Sequence, residues 1–275
     1  MGTSRGIPEE VRVSDLETLK YGVHNGVATI SLNRPTKLNA VNAQMFADLA
    51  EASERASFDP GVRVIVVRAE GRAFSAGIDV NLMGQLAGSR GARFRTWVRG
   101  AQQGFLNLAR ADKPTLAAVH GHALGAGFQI ALACDLRIVT HDVSFGMFEV
   151  KFGLIPDLGG THRLTRLVGP AVAKELVWTG RTVDAEEALR LGLANRIVER
   201  EVLDKEAEAF ARELAASPPI PVSLAKSLIT RATETPLETD LDAAAHAQAQ
   251  CVETEDHREA VAAFLEKRPP RFTGR

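Results

Sequence analysis

Two glycine-rich segments, each placed directly after a run of apolar residues, constrain the fold of this chain most strongly. The first segment, residues 72–79, follows the apolar run 62–69, and the second, residues 120–127, follows Thr115–Val119. Apolar, β-branched runs of this length are typical of strands that are buried inside a sheet. Because helical patterns separate these strands, the sequence predicts an α/β fold that alternates strands and helices between about residues 16 and 150.

Local patterns predict the other elements and a division of the chain. Two more strands and three helices are predicted at Val27–Leu32, 136–139, 43–57, 93–110 and 125–134. Asn42 is predicted to cap the first of these helices. Helical patterns dominate after about residue 160, at 171–178, 185–191, 203–216, 222–232, 237–252 and 257–266. We therefore expect an N-terminal tail (1–15), a core with the ligand site (16–200) and a C-terminal helical region (201–275).

Composition excludes several classes of protein. The chain has 275 residues, a net charge of −1 and no lysine-rich run, so a polybasic nucleic-acid-binding face is not expected. No apolar run approaches the ~18 residues of a membrane span, and residues 1–10 lack an apolar leader. The two cysteines, Cys134 and Cys251, lack the spacing of a redox or metal motif. We expect reduced thiols in a cytoplasmic protein.

The two glycine-rich segments also carry candidate chemistry. Each can offer one backbone N–H to a ligand, and two amides that converge on one carbonyl oxygen form an oxyanion hole, in which each donor is typically worth ~10²–10³ in rate. A tight turn between strand and helix explains the first segment equally well. The dinucleotide-binding glycine motif fails, because Ile130 occupies the place of its third glycine. His120 and His122 have no further ligand nearby in the sequence, so no metal site is predicted.

Two carboxylates, Glu149 and Asp157, stand in the otherwise apolar stretch 145–160. Burying a carboxylate is costly unless it is paired or used, and burial raises its pKa, which makes it a better proton shuttle near neutral pH. Both are therefore candidate catalytic residues. The alternatives are that either residue faces solvent, or that Asp157 caps a helix that begins near Gly159.

Taken in order, these segments resemble the crotonase superfamily, the enoyl-CoA hydratase/isomerase fold. The likeness runs over roughly residues 16–272. The matching pieces lie at residues 33–35, 38–40, 74–79, 121–127, 134–137, 153–156, 159–161, 163–164, 179–180, 185, 187–188, 192–194 and 263–268. So many ordered matches are specific for the family, although they do not fix the reaction.

The resemblance implies a crotonase-like ββα spiral core with a C-terminal helical trimerisation region, in a homotrimer or a hexamer. It implies an oxyanion hole formed by the backbone N–H groups of Ile78 and Ala126. It also implies an acyl-CoA thioester substrate and no separate cofactor, with coenzyme A bound along Lys37, Leu38, Ala40, Ala76, Asp79 and Lys267. Lys267 corresponds to a phosphate-contacting lysine that a neighbouring subunit often supplies.

The departures from the family pattern bear on the reaction. Hydratases of this family use two glutamates; the second corresponds to Glu149, whereas the first corresponds to Gln129. Glutamine can orient a water or a substrate but cannot exchange a proton at neutral pH. Asp157 falls where the dienoyl-CoA isomerases of the family carry a catalytic aspartate, but those enzymes also carry an aspartate at position 129, so the match is partial.

These features favour double-bond isomerisation of an enoyl- or dienoyl-CoA in fatty-acid or related acyl-CoA catabolism. Hydration of a 2-trans-enoyl-CoA is the alternative, and a non-catalytic or RNA-binding role is a remote one. The acyl chain cannot be deduced from the sequence. Its pocket is predicted to include Met83, Leu86, Phe94, Trp97 and Phe148, although ordinary helix packing would explain these residues too.

Overall fold

The computed structural model describes residues 12–86 and 88–275, so the sequence interpretation of residues 1–10 lies outside the described residues. The strands in this part of the chain are β1 (Arg12–Asp15), β2 (Leu19–His24), β3 (Val27–Leu32), β4 (Val64–Ala69), β5 (Thr115–Val119), β6 (His122–Leu124), β7 (Leu136–Thr140), β8 (Ser144–Gly146), β9 (Thr182–Val183) and β10 (Arg196–Val198). The α-helices are α1 (Ala43–Phe58), α2 (Val80–Leu86), α3 (Gly91–Ala101), α4 (Gln103–Arg110), α5 (Ala126–Ala133), α6 (Gly160–Thr179), α7 (Ala185–Arg190), α8 (Leu203–Ala215), α9 (Pro219–Arg231), α10 (Leu237–Glu253) and α11 (Glu255–Glu266).

Seven strands form one sheet in the order β1-β2-β3-β4-β5-β7-β10. Strand β2 is antiparallel to both of its neighbours, β1 and β3, and from β3 to β10 every neighbouring pair is parallel. A smaller sheet contains β6, β8 and β9. The predicted alternation of strands and helices is confirmed, whereas β1 and β2 were not identified from the sequence. Residues 12–15, which the sequence interpretation placed in the tail, pair with β2.

Both faces of the large sheet are covered, which explains why its central strands are apolar throughout. The main core packs on one face and includes Phe105 and Phe128. On the other face, Ala207 and Ala211 of α8 pack in a second cluster with Leu116. Helix α8 therefore belongs to the packed core, although the sequence interpretation grouped it with the C-terminal helical region.

Two predicted helices illustrate how local signals succeed and fail. Asn42 caps α1 by accepting a hydrogen bond from the Met45 amide at 2.9 Å, as predicted. The prediction of one helix over residues 93–110 is wrong, because α3 ends and α4 begins on either side of Gln102. At this break the Gln102 side chain donates to the carbonyl oxygen of Asp157 at 2.6 Å, so a contact remote in sequence accompanies the interruption.

The C-terminal helices are less buried than the core. Helices α9 and α10 contain no fully buried residue. Large apolar side chains lie exposed on α9–α11, among them Ile229, Leu241 and Phe264, the last 83% exposed. Within residues 12–86 and 88–275, no helix is both long and apolar enough to cross a membrane. Cys134 and Cys251 are both free thiols.

Candidate active site

The two glycine-rich segments meet beside each other. They leave the carboxyl ends of β4 and β5, which are neighbouring parallel strands. The Ser75 amide donates to the carbonyl of His122 at 2.8 Å, and the Leu124 amide donates to the carbonyl of Ser75 at 2.9 Å. These two bonds fix the segments against each other in the crevice where α/β sheets bind ligands.

Two glycines allow this close approach. Gly77 has φ +97°, and a Cβ there would lie 3.0 Å from the Leu124 carbonyl oxygen. Gly127, in the first turn of α5, faces Ser75, and a Cβ there would lie 2.5 Å from the Ser75 side chain. The sequence therefore needs glycine at both places, because any side chain would push the two segments apart.

Ile78 and Ala126 line the same cavity. Val41 donates to Gly77 and accepts from Asp79, at 2.8 and 2.9 Å. Val41 is thus bonded to the residues before and after Ile78, and successive residues of an extended chain point their backbone groups in opposite directions. The Ile78 N–H therefore points away from Val41. Ala126 is the first residue of α5, where N–H groups have no acceptor within the helix. Ile78 and Ala126 line one cavity of ≈ 150 Å³, and their role as an oxyanion hole stays a prediction.

Glu149 lies at the wall of this cavity. It is 8% exposed and begins a short 3₁₀ helix, Glu149–Phe152. Its Oε1 accepts a hydrogen bond from Gln129 Nε2 at 2.7 Å, whereas its buried Oε2 has no partner among the described residues. Burial raises the pKa of the Glu149 carboxyl, and the negative charge of Asp157 also raises it. A carboxyl with a raised pKa and a free oxygen at a cavity wall is suited to transfer protons.

Gln129 holds Glu149 and the Asp157 loop together. Its Oε1 accepts from the amides of Leu158 and Gly160, both at 2.9 Å. Because backbone amides only donate, these two bonds fix which end of the Gln129 side chain is oxygen. The NH₂ group must therefore face Glu149. Its predicted role in orienting water or substrate stays a prediction.

Asp157 shares a second cavity with Glu149. Its side chain is half-buried, and burial raises the pKa of its carboxyl. Helix α6 begins at Gly160 with Gly159 at the N-cap and no side-chain cap, so the alternative that Asp157 caps this helix is wrong. The loop is held in place by the bond from Gln102 to the Asp157 carbonyl.

The second cavity, of ≈ 510 Å³, adjoins the first. Both are lined by Ile78, Met83, Glu149 and Leu154. The second is also lined by other apolar residues of the predicted pocket, Leu86, Phe94 and Trp97, while Phe148 lines the first. A group bound between Ile78 and Ala126 can therefore extend into the second cavity, an apolar chamber that both carboxylates line.

The predicted CoA-binding residues fall into a packed group and an outlier. The Ala76 amide donates to the Leu38 carbonyl at 2.9 Å. Asp79 pairs with Arg34 at 2.9 Å, and Arg34 also donates to the Ala40 carbonyl.

Hydrogen bonds from the Asn81 amide and from Arg34 lower the pKa of Asp79. Lys37 lies exposed beside this group. Lys267 is exposed at the end of α11, and within the described chain no hydrogen bond or ion pair joins it to the others. The CoA-binding roles stay predictions.

Sequence reasoning missed two residues of the site, Arg34 and Gln102. Arg34 lies in the segment 33–35 that carries the family resemblance, so its position was visible but its pairing with Asp79 was not. Gln102 gave no signal, because its partner lies 55 residues away. No group of three His, Cys, Asp or Glu side chains is arranged to hold a metal ion in the described ranges.

Comparison with known proteins gives consistent results. The family model described as enoyl-CoA hydratase/isomerase matches residues 22–275. A short-chain-enoyl-CoA hydratase from Clostridium acetobutylicum is 36% identical over 88% of this chain and 92% of its own length.

Solved structures show the same fold. A Streptomyces coelicolor protein described as an enoyl-CoA hydratase has a TM-score of 0.91 at 35% identity, covering 100% of this chain and 98% of its own. A Thermobifida fusca protein solved with acetoacetyl-CoA has a TM-score of 0.80 at 38% identity, covering 86% and 96%. The predicted crotonase fold is confirmed.

The contacts of Gln129 generate a test. We expect Gln129→Ala to speed hydrogen exchange at the Leu158 and Gly160 amides about five- to tenfold, because each loses an acceptor worth about 1 kcal/mol. Gln129→Glu keeps an acceptor oxygen and should leave both amides protected. Exchange followed by NMR measures the effect, with the exposed Gln103→Ala as control. Unchanged protection in the alanine variant would contradict the arrangement.

Proposed function

This chain belongs to the enoyl-CoA hydratase/isomerase family, and we propose that it relocates a double bond in an enoyl- or dienoyl-CoA ester by moving one proton. The thioester carbonyl oxygen accepts hydrogen bonds from the Ile78 and Ala126 amides. These donors stabilise the enolate that forms when a proton leaves carbon, by ~10²–10³ in rate for each donor. Coenzyme A is then part of the substrate, and the chemistry needs no separate cofactor.

The proton is moved by Glu149, with Asp157 as the second station. Glu149 takes a proton from one carbon of the acyl chain, and the electron pair of that C–H bond enters the enolate. Return of this proton to a different carbon, either directly from Glu149 or after its transfer from Glu149 to Asp157, completes the isomerisation and leaves both carboxylates ionised as they began. Both carboxyls have pKa values raised by burial, which brings them closer to neutral pH.

The observation that carries this proposal is that both ends of the Gln129 side-chain amide are already hydrogen-bonded within the protein. Its amide is bonded to Glu149 and to two backbone amides, and an amide cannot exchange protons at neutral pH. Proton transfer at this wall is thereby left to Glu149 and Asp157, which border the same chamber. Isomerisation requires only such proton transfer, without a bound water as reactant.

Hydration of a 2-trans-enoyl-CoA is the second candidate. The Clostridium acetobutylicum relative bears the name of a hydratase, and a Syntrophomonas wolfei relative, 34% identical, that of a crotonyl-CoA hydratase. If the protein is a hydratase, Glu149 and Asp157 would together hold the attacking water.

A substrate panel separates the two candidates. We expect turnover of 3-enoyl-CoA or 3,5-dienoyl-CoA esters, and a loss of ~10²–10⁴ in kcat for Glu149→Gln, because the proton carrier is removed. Spectrophotometric assays of both esters and of crotonyl-CoA measure this. Robust crotonyl-CoA hydration that survives Gln129→Ala would favour the hydratase. Full activity of Glu149→Gln would rule out a role for Glu149 in either reaction.

The pH dependence tests the coupling of the two carboxyls. As the proton acceptor, Glu149 must be ionised, so kcat/KM should fall as the pH drops through its raised pKa. Asp157→Asn removes a like charge that disfavours ionised Glu149, so this acid limb should move to lower pH. The exposed Asp204→Asn serves as control and should leave the limb in place. A limb unmoved in Asp157→Asn would show that the two groups are not coupled.

We also propose a homotrimer, or a hexamer of paired trimers, as the cytoplasmic assembly. The exposed apolar residues of α9–α11 support it, because a monomer would leave this surface in water. An assembly would also let Lys267 of one copy reach coenzyme A bound to another.

Sedimentation velocity tests the assembly. We expect a mass of three or six chains, and a shift to smaller species for the double variant Phe264→Lys/Leu265→Lys, because two charges would be placed in an apolar contact. Leu189→Lys on α7 is the matched control, since it alters a less exposed apolar residue outside α9–α11. A monomeric native chain would refute the proposal.

A further inference from the structure

Helix α3, which lines the second cavity, is rich in arginine. This cavity is called the acyl chamber because the proposed function places the acyl chain in it. Arg90 precedes α3, and Arg93, Arg95 and Arg99 lie on it. The sequence has no Asp or Glu between Asp79 and Asp112. Only part of this charge faces the chamber, because Arg95 and Arg99 line it whereas Arg90 and Arg93 do not.

These arginines have no partner within the described residues. Neither Arg95 nor Arg99 makes a hydrogen bond or an ion pair there, although other exposed arginines, such as Arg181, pair with carboxylates. Arg95 and Arg99 are four residues apart, so they lie on one face of α3 and repel each other. Arg93 and Arg95 also lie near the helix N-terminus, where positive charge is unfavourable. No carboxylate among the described residues pairs with Arg95 or Arg99 to offset this repulsion, whereas an anion bound at this face would.

The arginines do not serve as counter-ions of the catalytic carboxylates. The pKa of Asp157 is raised by burial and that of Glu149 by burial and by Asp157, and no arginine lowers either. Phe94, Trp97 and Val98 of the same helix line the chamber beside the arginines. Glu149 lines both cavities, whereas Arg95 and Arg99 line only the second one and not the cavity that holds Ile78 and Ala126.

We propose that Arg95 and Arg99 bind a carboxylate at the far end of the acyl chain, so that the substrate is a CoA ester of an unsaturated dicarboxylic acid. This inference rests on the proposed function, since it assumes a thioester seated at Ile78 and Ala126. An acyl chain that leaves those amides crosses the apolar chamber and meets α3. Guanidinium groups bind carboxylates through paired, charge-assisted hydrogen bonds.

The phosphates of coenzyme A are the other anions that could meet these arginines. They are common to every CoA ester, so a contact with them would strengthen binding of all esters equally. A distal carboxylate is instead distinguished by comparing two esters that differ only at the chain end.

The test compares six-carbon esters with and without a terminal carboxylate. Calorimetry measures binding of hexanoyl-CoA and adipoyl-CoA, and kinetics measures kcat/KM for the matching unsaturated pair. We expect the native protein to prefer the carboxylate ester about tenfold or more, and Arg95→Leu or Arg99→Leu to remove about tenfold of its affinity while changing the plain ester less than twofold. Arg93→Leu, on the same helix but outside the chamber, is the matched control and should preserve the preference. The preference should weaken at high salt.

Three outcomes overturn the inference. Equal binding of both esters by the native protein would refute it, and so would a preference that persists in both leucine variants. Equal weakening of both esters by Arg95→Leu and Arg99→Leu would assign the arginines to coenzyme A instead. Failure of the proposed function is recognised separately, because the isomerisation assay then shows no turnover, whereas the preference between hexanoyl-CoA and adipoyl-CoA is measured by calorimetry without turnover.

Discussion

Ser75 holds the two glycine-rich segments and the segment around Asn39 together, and the rest of the site depends on these contacts. Its backbone pairs with His122 and Leu124, and its buried hydroxyl donates to the Asn39 carbonyl at 2.8 Å. The small side chain also leaves room for Gly127 to approach. Loss of this arrangement would separate Ile78 from Ala126, and with them the two amides that are proposed to bind the thioester carbonyl.

The second constraint is the cost of a buried carboxylate. Glu149 keeps one oxygen without a partner, which disfavours its charged form. Gln129 offsets part of this cost by donating one hydrogen bond to Glu149. Its side-chain oxygen accepts a hydrogen bond from the loop that carries Asp157. The Gln129 side chain thus holds Glu149 directly and the Asp157 loop through backbone amides. Glutamine at this position therefore affects the placement of both carboxylates.

Charge is divided along the acyl chamber in a way that suggests its use. Glu149 lines both cavities, whereas Arg95 and Arg99 of α3 line only the second, away from the cavity of Ile78 and Ala126. An apolar chamber alone would accept any chain of suitable size, whereas a cationic edge selects for what the chain carries at its end. In the two proposals, the reaction type and the choice of substrate are therefore set by different residues of one cavity.

The sequence by itself determined the central strands, the Asn42 cap, the two glycine-rich segments and the candidate pair Glu149 and Asp157. These depend on local periodicity, on turn chemistry, and on polar residues within apolar runs, all of which are written in adjacent residues. The family resemblance added the fold, which the comparisons confirmed.

Only the tertiary structure decided which way the Gln129 amide points, that the helix breaks at Gln102, that Asp157 does not cap α6, and which arginines of α3 line the second cavity. Each of these depends on partners brought from distant parts of the chain. Their identity is fixed by packing and hydrogen-bond satisfaction in three dimensions, which no local pattern encodes.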